Sequence, residues 1–242
     1  MKTITGAGNV FSGEVDQLLI PSNYRTPRYP CIIVHGAEGG PGALDWMSAS
    51  PYRWPPIRTY IDTCGCIGIS ADLGGNATWG NATVQSRLDS AFAYLQNVPG
   101  VKPGKVILIP QSMGAIASLV WAKNNKSKVA AIVGNIPVTN LTLAWQQGVY
   151  TSAINTAYGG SYSEAAYGAA RNPVTFAASL AGIPGQLWVG ATDTLARLSD
   201  AQAVSAAAPS IITMSIPGGH DEATIGAIDL AVTAAFINQY SI

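Results

Sequence analysis

Seven short runs of apolar, β-branched residues recur along the chain, each ending at or near Gly, Pro, Asn or Asp. They are VDQLLI at 15–20, PCIIVH at 30–35, CIGISAD at 66–72, KVILIP at 105–110, VAAIVGN at 129–135, QLWVGA at 186–191 and SIITMSI at 210–216. Segments with helical spacing separate them. Val84, Leu88, Ala91, Phe92 and Leu95 share one helical face, and Ile225, Ile228, Val232, Ala235 and Phe236 share another. Ile116, Leu119 and Val120 are the apolar positions of a third helix after Ser112. Short continuous apolar runs are strands buried on both faces, and their alternation with helices predicts an α/β chain with a mostly parallel sheet covered on two sides. In such sheets ligands bind beyond the carboxyl ends of the strands.

The chain has 242 residues, a length at which α/β folds commonly form one domain, so a single unit over 1–242 is expected. Residues 137–185 break the rhythm, carrying Trp145, Tyr150, Tyr158, Tyr162, Tyr167 and Phe176 without a strand signal. So long a connection has helices of its own or a function. It reads either as a small cap-like insertion over the site or as a helical hairpin on the sheet edge.

Hydrophobic residues make up 48% and charged residues 11%, with 13 basic against 13 acidic, so no basic face is available for a nucleic-acid backbone. MKTITGAGNVFSGEV lacks the apolar core of a secretory signal, and no window reaches the ~20 apolar residues of a transmembrane helix. A cytoplasmic setting is the default expectation, while the low charge and abundant Asn, Thr and Gly also suit an extracellular or virion-associated one. Cys31, Cys64 and Cys66 are too few for a disulfide framework and lack the spacing of a zinc site, so they read as buried or half-buried free thiols, with a strained Cys64–Cys66 bridge around Gly65 as the lesser alternative, and no metal is expected. Asn76, Asn81, Asn125 and Asn140 begin glycosylation-type tripeptides, a pattern that arises by chance in a chain rich in Asn, Thr and Ser.

The stretch KVILIPQSMGAIASLVWA at 105–122 changes from strand to helix at PQSMG. A serine at so sharp a turn projects its Oγ above the sheet while the amides of the first helical turn face the same space. Pro110-Gln111-Ser112-Met113-Gly114 matches G-x-S-x-G except at Pro110, which is compact and tolerated where a strand ends.

A serine hydroxyl needs a base within hydrogen-bond reach. The chain has two histidines, His35 in IIVHGAEGGPG and His220 in SIPGGHDEAT. His220, on a glycine-bearing loop after the last strand run, is the favoured base and His35 the competitor. The carboxylate that would orient the imidazole is Asp193 in LWVGATDTLA, with Asp72 at an earlier strand end as the rival, better suited to shaping the pocket or capping a turn. Asp221 and Glu222 are too constrained to reach around the His220 ring and are expected to cap a helix. For an oxyanion, the Met113 N–H is well placed, and the glycine-rich loop with Gly39, Gly40 and Gly42 offers the Ala37 or Glu38 amide as second donor. His35, Asp72, Gln111, Trp145 and Tyr150 are further candidates for substrate contact.

Taken together, HGAEGG, PQSMGA, GATDTLA and PGGHDEA, in this order over nearly the whole chain, resemble the oxyanion loop, nucleophile elbow, acid turn and histidine turn of the α/β-hydrolase superfamily, specifically its serine esterases and lipases. The resemblance implies an eight-stranded sheet whose first strands are antiparallel, and a cap inserted before the acid strand, where 137–185 lie. It also implies hydrolysis of a small-molecule or lipid-like ester with Ser112, Asp193 and His220 as triad and no cofactor. A peptidase or amidase on the same fold, or a binding module that kept the fold without turnover, are the other readings.

Overall fold

The computed structural model of the chain describes residues 1–5, 17–22, 24, 26–38 and 49–242. Among the described residues eight strands form one sheet: β1 (Lys2–Thr5), β2 (Gln17–Ile20), β3 (Cys31–Val34), β4 (Gly68–Ser70), β5 (Val106–Pro110), β6 (Val129–Asn135), β7 (Gly185–Gly190) and β8 (Ile211–Ile216). Their spatial order is β1-β2-β4-β3-β5-β6-β7-β8. β1 runs antiparallel to β2 and β2 antiparallel to β4, while every later pairing is parallel. All seven apolar runs are strands; β1, in the polar KTIT stretch, carries no apolar signal and joins them as an edge.

Side chains alternate across the sheet. Ile32, Val34, Leu108, Ile132 and Leu187 enter one core layer, under the helices α2 (Ala82–Leu95), α3 (Gly114–Asn124) and, further along the chain, Leu198–Ala207. Ile33, Ile107, Ile109, Val133 and Trp188 enter the other, against the early helix α1 (Trp54–Arg58), the π-helical turn Thr59–Thr63 and the C-terminal helix. Val84, Leu88, Ala91 and Leu95 bury the expected face of α2, and Asn81 caps it by accepting from Val84 N–H. α3 is buried continuously from Gly114 to Ala122, as a helix enclosed between sheet and neighbouring helices must be.

Between β6 and β7 lie four short α-helices, α4 (Leu141–Gln146), α5 (Thr151–Ala157), α6 (Glu164–Arg171) and α7 (Pro173–Phe176), followed by a 3-10 turn at Ala177–Leu180. Leu141, Ala144, Ile154, Tyr162 and Phe176 join the core layer of α2 and α3. α8 is Leu198–Ala207.

The C-terminal helical face differs from its expected composition. The chain folds there as two helices, α9 (Glu222–Gly226) and α10 (Leu230–Tyr240), because Asp229 caps a fresh start by accepting from Ala231 and Val232 N–H. The restart rotates the phase, so Thr233, Ala234 and Ile237 face the core while Val232 is 40% exposed. Ile225 and Ile228 are buried as expected.

Candidate active site

The carboxyl ends of β5, β7 and β8 converge on three side chains. β5 ends at Pro110; Gln111 N–H then donates to Val34 O at 2.9 Å and Ser112 N–H to Asn135 O at 3.2 Å, which suspends the turn between β3 and β6. Ser112 takes a φ of 48°, a left-handed conformation rare for a residue with a side chain and characteristic of strained functional turns. α3 then starts hard against β3, since a Cβ at Gly114 would lie 2.4 Å from Val34 O. The amides of Gly114, Ala115 and Ile116 are engaged within the turn by Gln111, Ser112 and Met113 carbonyls.

Ser112 Oγ lies 2.7 Å from His220 Nε2, and His220 Nδ1 lies 2.7 Å from Asp193 Oδ2. An ionised carboxylate only accepts, so Nδ1 carries the proton toward Asp193 and Nε2 is the acceptor for the serine hydroxyl. The Asp193 side chain is fully buried, and its other oxygen accepts from Leu195 N–H at 2.9 Å and Ala196 N–H at 2.7 Å, so the carboxylate cannot turn away. The turn after β7 is itself tied to the turn after β8: Thr192 N–H and Oγ1–H both donate to Gly218 O. Asp221 caps α9 through Thr224 N–H, as expected. Glu222 does not share that capping role. Its carboxylate reaches across to Ser50 Oγ at 2.6 Å and to Arg53 at 3.4 Å.

The remaining candidates divide. His35 is 3% exposed, with Nδ1 at 2.8 Å from Gly36 O and Nε2 facing Asp72 O, so its ring spans the ends of β3 and β4. Asp72 sits beside it, and burial raises its carboxyl above the ordinary range. Gln111 is buried and donates from Nε2 to Glu38, which also pairs with Arg53 at 3.5 Å. Tyr150 packs its ring on Trp79 at 4.9 Å; burial and the nearby Glu38 carboxylate raise its phenol. Trp145 instead serves the packing of its own segment, donating to Asn155 Oδ1 and lying 5.8 Å from the Tyr162 ring. Ala37 and Glu38 follow β3 at the same end of the sheet as Ser112; Gly39, Gly40 and Gly42 lie outside the described residues. Sequence reasoning missed Ser50, Arg53 and Asn135, none of which stands in a motif.

Among the described residues no cluster of His, Cys, Asp or Glu could hold a metal ion, and no helix is long and apolar enough to cross a membrane.

No protein-family model matches the sequence, and no curated protein matches it. Solved structures do. Fluorophosphonate-binding serine hydrolase FphF of Staphylococcus aureus, solved with substrate bound, superposes with a TM-score of 0.77 at 12% identity, over 98% of this chain and 98% of its own. Est1E from Butyrivibrio proteoclasticus gives 0.70 at 13% identity, over 99% of this chain and 97% of its own. The chain has the α/β-hydrolase fold. A thermostable esterase from Pseudomonas putida, at TM-score 0.67 and 16% identity, covers 99% of this chain and 82% of its own. The likeness spans nearly the whole chain, the antiparallel entry of β1 and β2 included.

Proposed function

We propose that this protein is a serine hydrolase that cleaves carboxylic esters by two-step acyl transfer. The reading rests on one observation above all: the unbroken hydrogen-bonded chain from Ser112 Oγ through His220 to Asp193, with 2.7 Å at each link. His220 Nε2 takes the serine proton as Oγ attacks the ester carbonyl, and Asp193 stabilises the imidazolium. The N–H of Met113 and that of Ala37, with Glu38 the alternative second donor, face the developing oxyanion at the nucleophile elbow. Nε2 then hands its proton to the leaving alkoxide, giving the alcohol and an acyl-serine. Water repeats the cycle: His220 removes its proton, hydroxide adds to the acyl carbon, and the acid leaves as Oγ regains its proton.

In this reading the chain is one domain, and residues 137–185 are its cap. Tyr150, packed on Trp79 and near Glu38, is the cap's contribution beside the acyl or aryl group. Gln111, His35 and Asp72 shape the floor. The esterase and serine hydrolase neighbours support ester hydrolysis as the reaction class.

The test is hydrolysis of p-nitrophenyl esters of graded chain length by the wild type and by Ser112→Ala, both checked for folding. Wild-type turnover that falls by at least about 10³-fold in the variant is expected, because little beyond oxyanion and binding effects survives loss of the nucleophile. Equal turnover in both removes Ser112 from the mechanism.

A further inference from the structure

The oxyanion side and the histidine side of the site come from distant parts of the chain, and one guanidinium lies between them. Arg53 precedes α1, and its side chain is 10% exposed. Nη1 lies 3.5 Å from Glu38 Oε1, and Nη2 lies 3.4 Å from Glu222 Oε1. Glu38 follows β3 next to Ala37 and also receives the Nε2–H of Gln111, the residue before Ser112. Glu222 opens α9 two residues after His220 and also receives the Ser50 hydroxyl at 2.6 Å. Ser50 Oγ in turn accepts from Arg53 N–H at 3.2 Å, which holds the segment that presents the guanidinium.

We propose that Arg53 is a positioning residue of the hydrolytic site, a two-ended ion pair that fixes the 37–38 amides relative to the His220 turn; the proposal rests on the serine hydrolase reading above. Arg53 acts through Glu38 and Glu222, the carboxylates that flank its guanidinium. A guanidinium addresses two carboxylates at once through its planar fork, which a lysine ammonium does not reproduce. Without the cation, two half-buried carboxylates face each other uncompensated, and repulsion drives apart the two loops that the reaction needs in register. Oxyanion donors and base act only when held to within a fraction of an ångström, so the damage falls on the chemical step more than on substrate binding.

The experiment measures kcat and KM for p-nitrophenyl acetate with the wild type, Arg53→Met and Arg53→Lys. A fourth protein adds Glu38→Gln and Glu222→Gln to Arg53→Met, and thermal midpoints are recorded for all four. The expected result for Arg53→Met is a kcat lower by about 10²-fold with KM changed far less, the size of effect that a 1 Å misplacement produces. Arg53→Lys recovers part of the loss, and so does the combined variant, because neutral amides no longer repel. A purely structural role gives no charge rescue. Wild-type kcat in a folded Arg53→Met overturns the proposal, as does a loss that persists undiminished in the combined variant. If Arg53→Met does not fold, Arg53→Lys decides: an intermediate kcat at unchanged KM supports the role and an unaltered kcat overturns it. A wild type without turnover sinks the hydrolase reading and this proposal with it, whereas turnover indifferent to Arg53 sinks this proposal alone.

Discussion

A methyl group added at Gly114 would lie 2.4 Å from Val34 O and 2.6 Å from His35 O, both backbone atoms that cannot swing aside. Gly114→Ala therefore forces the start of α3 away from β3 and carries Ser112 with it. The expected cost is about 1–3 kcal/mol of stability from overpacking, together with a fall in ester turnover larger than the fall in folded protein. Urea denaturation and a kcat measurement on the folded fraction check both. The glycine was legible in PQSMG, and so was the serine; Pro110 fits because the donors that suspend the turn are the amides of Gln111 and Ser112. His220 was legible because only two histidines exist, and Asp193 because it precedes the histidine strand. Glu222 was not: a carboxylate at a helix start reads as a cap until Ser50 and Arg53, some 170 residues earlier in the chain, are folded against it. Two of the glycosylation-type asparagines are spent in the same local way, since Asn81 caps α2 and Asn140 caps α4 through Leu143 N–H.

Among the elements, the α4–α7 segment holds together around Glu164. Burial pushes this carboxyl up, but hydrogen bonds from Thr142, Thr175, Asn172 and Tyr162 outweigh burial and hold it below its ordinary value of 4.5. Asn172, 2% exposed, donates to Glu164 at 2.9 Å and accepts from Leu141 N–H at 2.9 Å, so one side chain links the starts of α4 and α6. A carboxylate whose value is lowered on folding stabilises the fold above its ordinary value, and that contribution disappears as pH falls through the lowered one. The protection of the α4 and α6 amides, measured as observed hydrogen exchange relative to the intrinsic rate at each pH, is therefore expected to fall below about pH 4.5. Glu164→Gln should remove this acid dependence and exchange faster at neutral pH as well, because an amide cannot accept from all four donors. Periodicity did not anticipate this arrangement, for these helices are too short to show a face. The same limit explains the C-terminal region, where one helical face was read across a break that Asp229 decides by capping.

For the whole molecule, the sheet's two faces carry separate core layers, and the three cysteines lie in the layer beneath α10. All are free and buried, as expected, and burial pushes the Cys64 thiol up to about 12. None should react with a thiol-specific disulfide reagent in the native state, and all three should react once denaturant opens the sheet. Stoichiometric labelling of any one of them in the folded protein would contradict the close packing of that layer. Local composition was enough to set out the sheet, its alternation with helices and the chain order of the turns bearing Ser112, Asp193 and His220. These depend on local rules: which residues suit a strand, which tolerate a tight turn and which can be a base. Long-range packing added β1 as an edge, turned Asp193 to His220 while Asp72 stayed with His35, and joined Glu38 to Glu222 through Arg53. Those outcomes depend on distances between residues far apart in the chain, and no local pattern records such a distance until the sheet has brought its strand ends together.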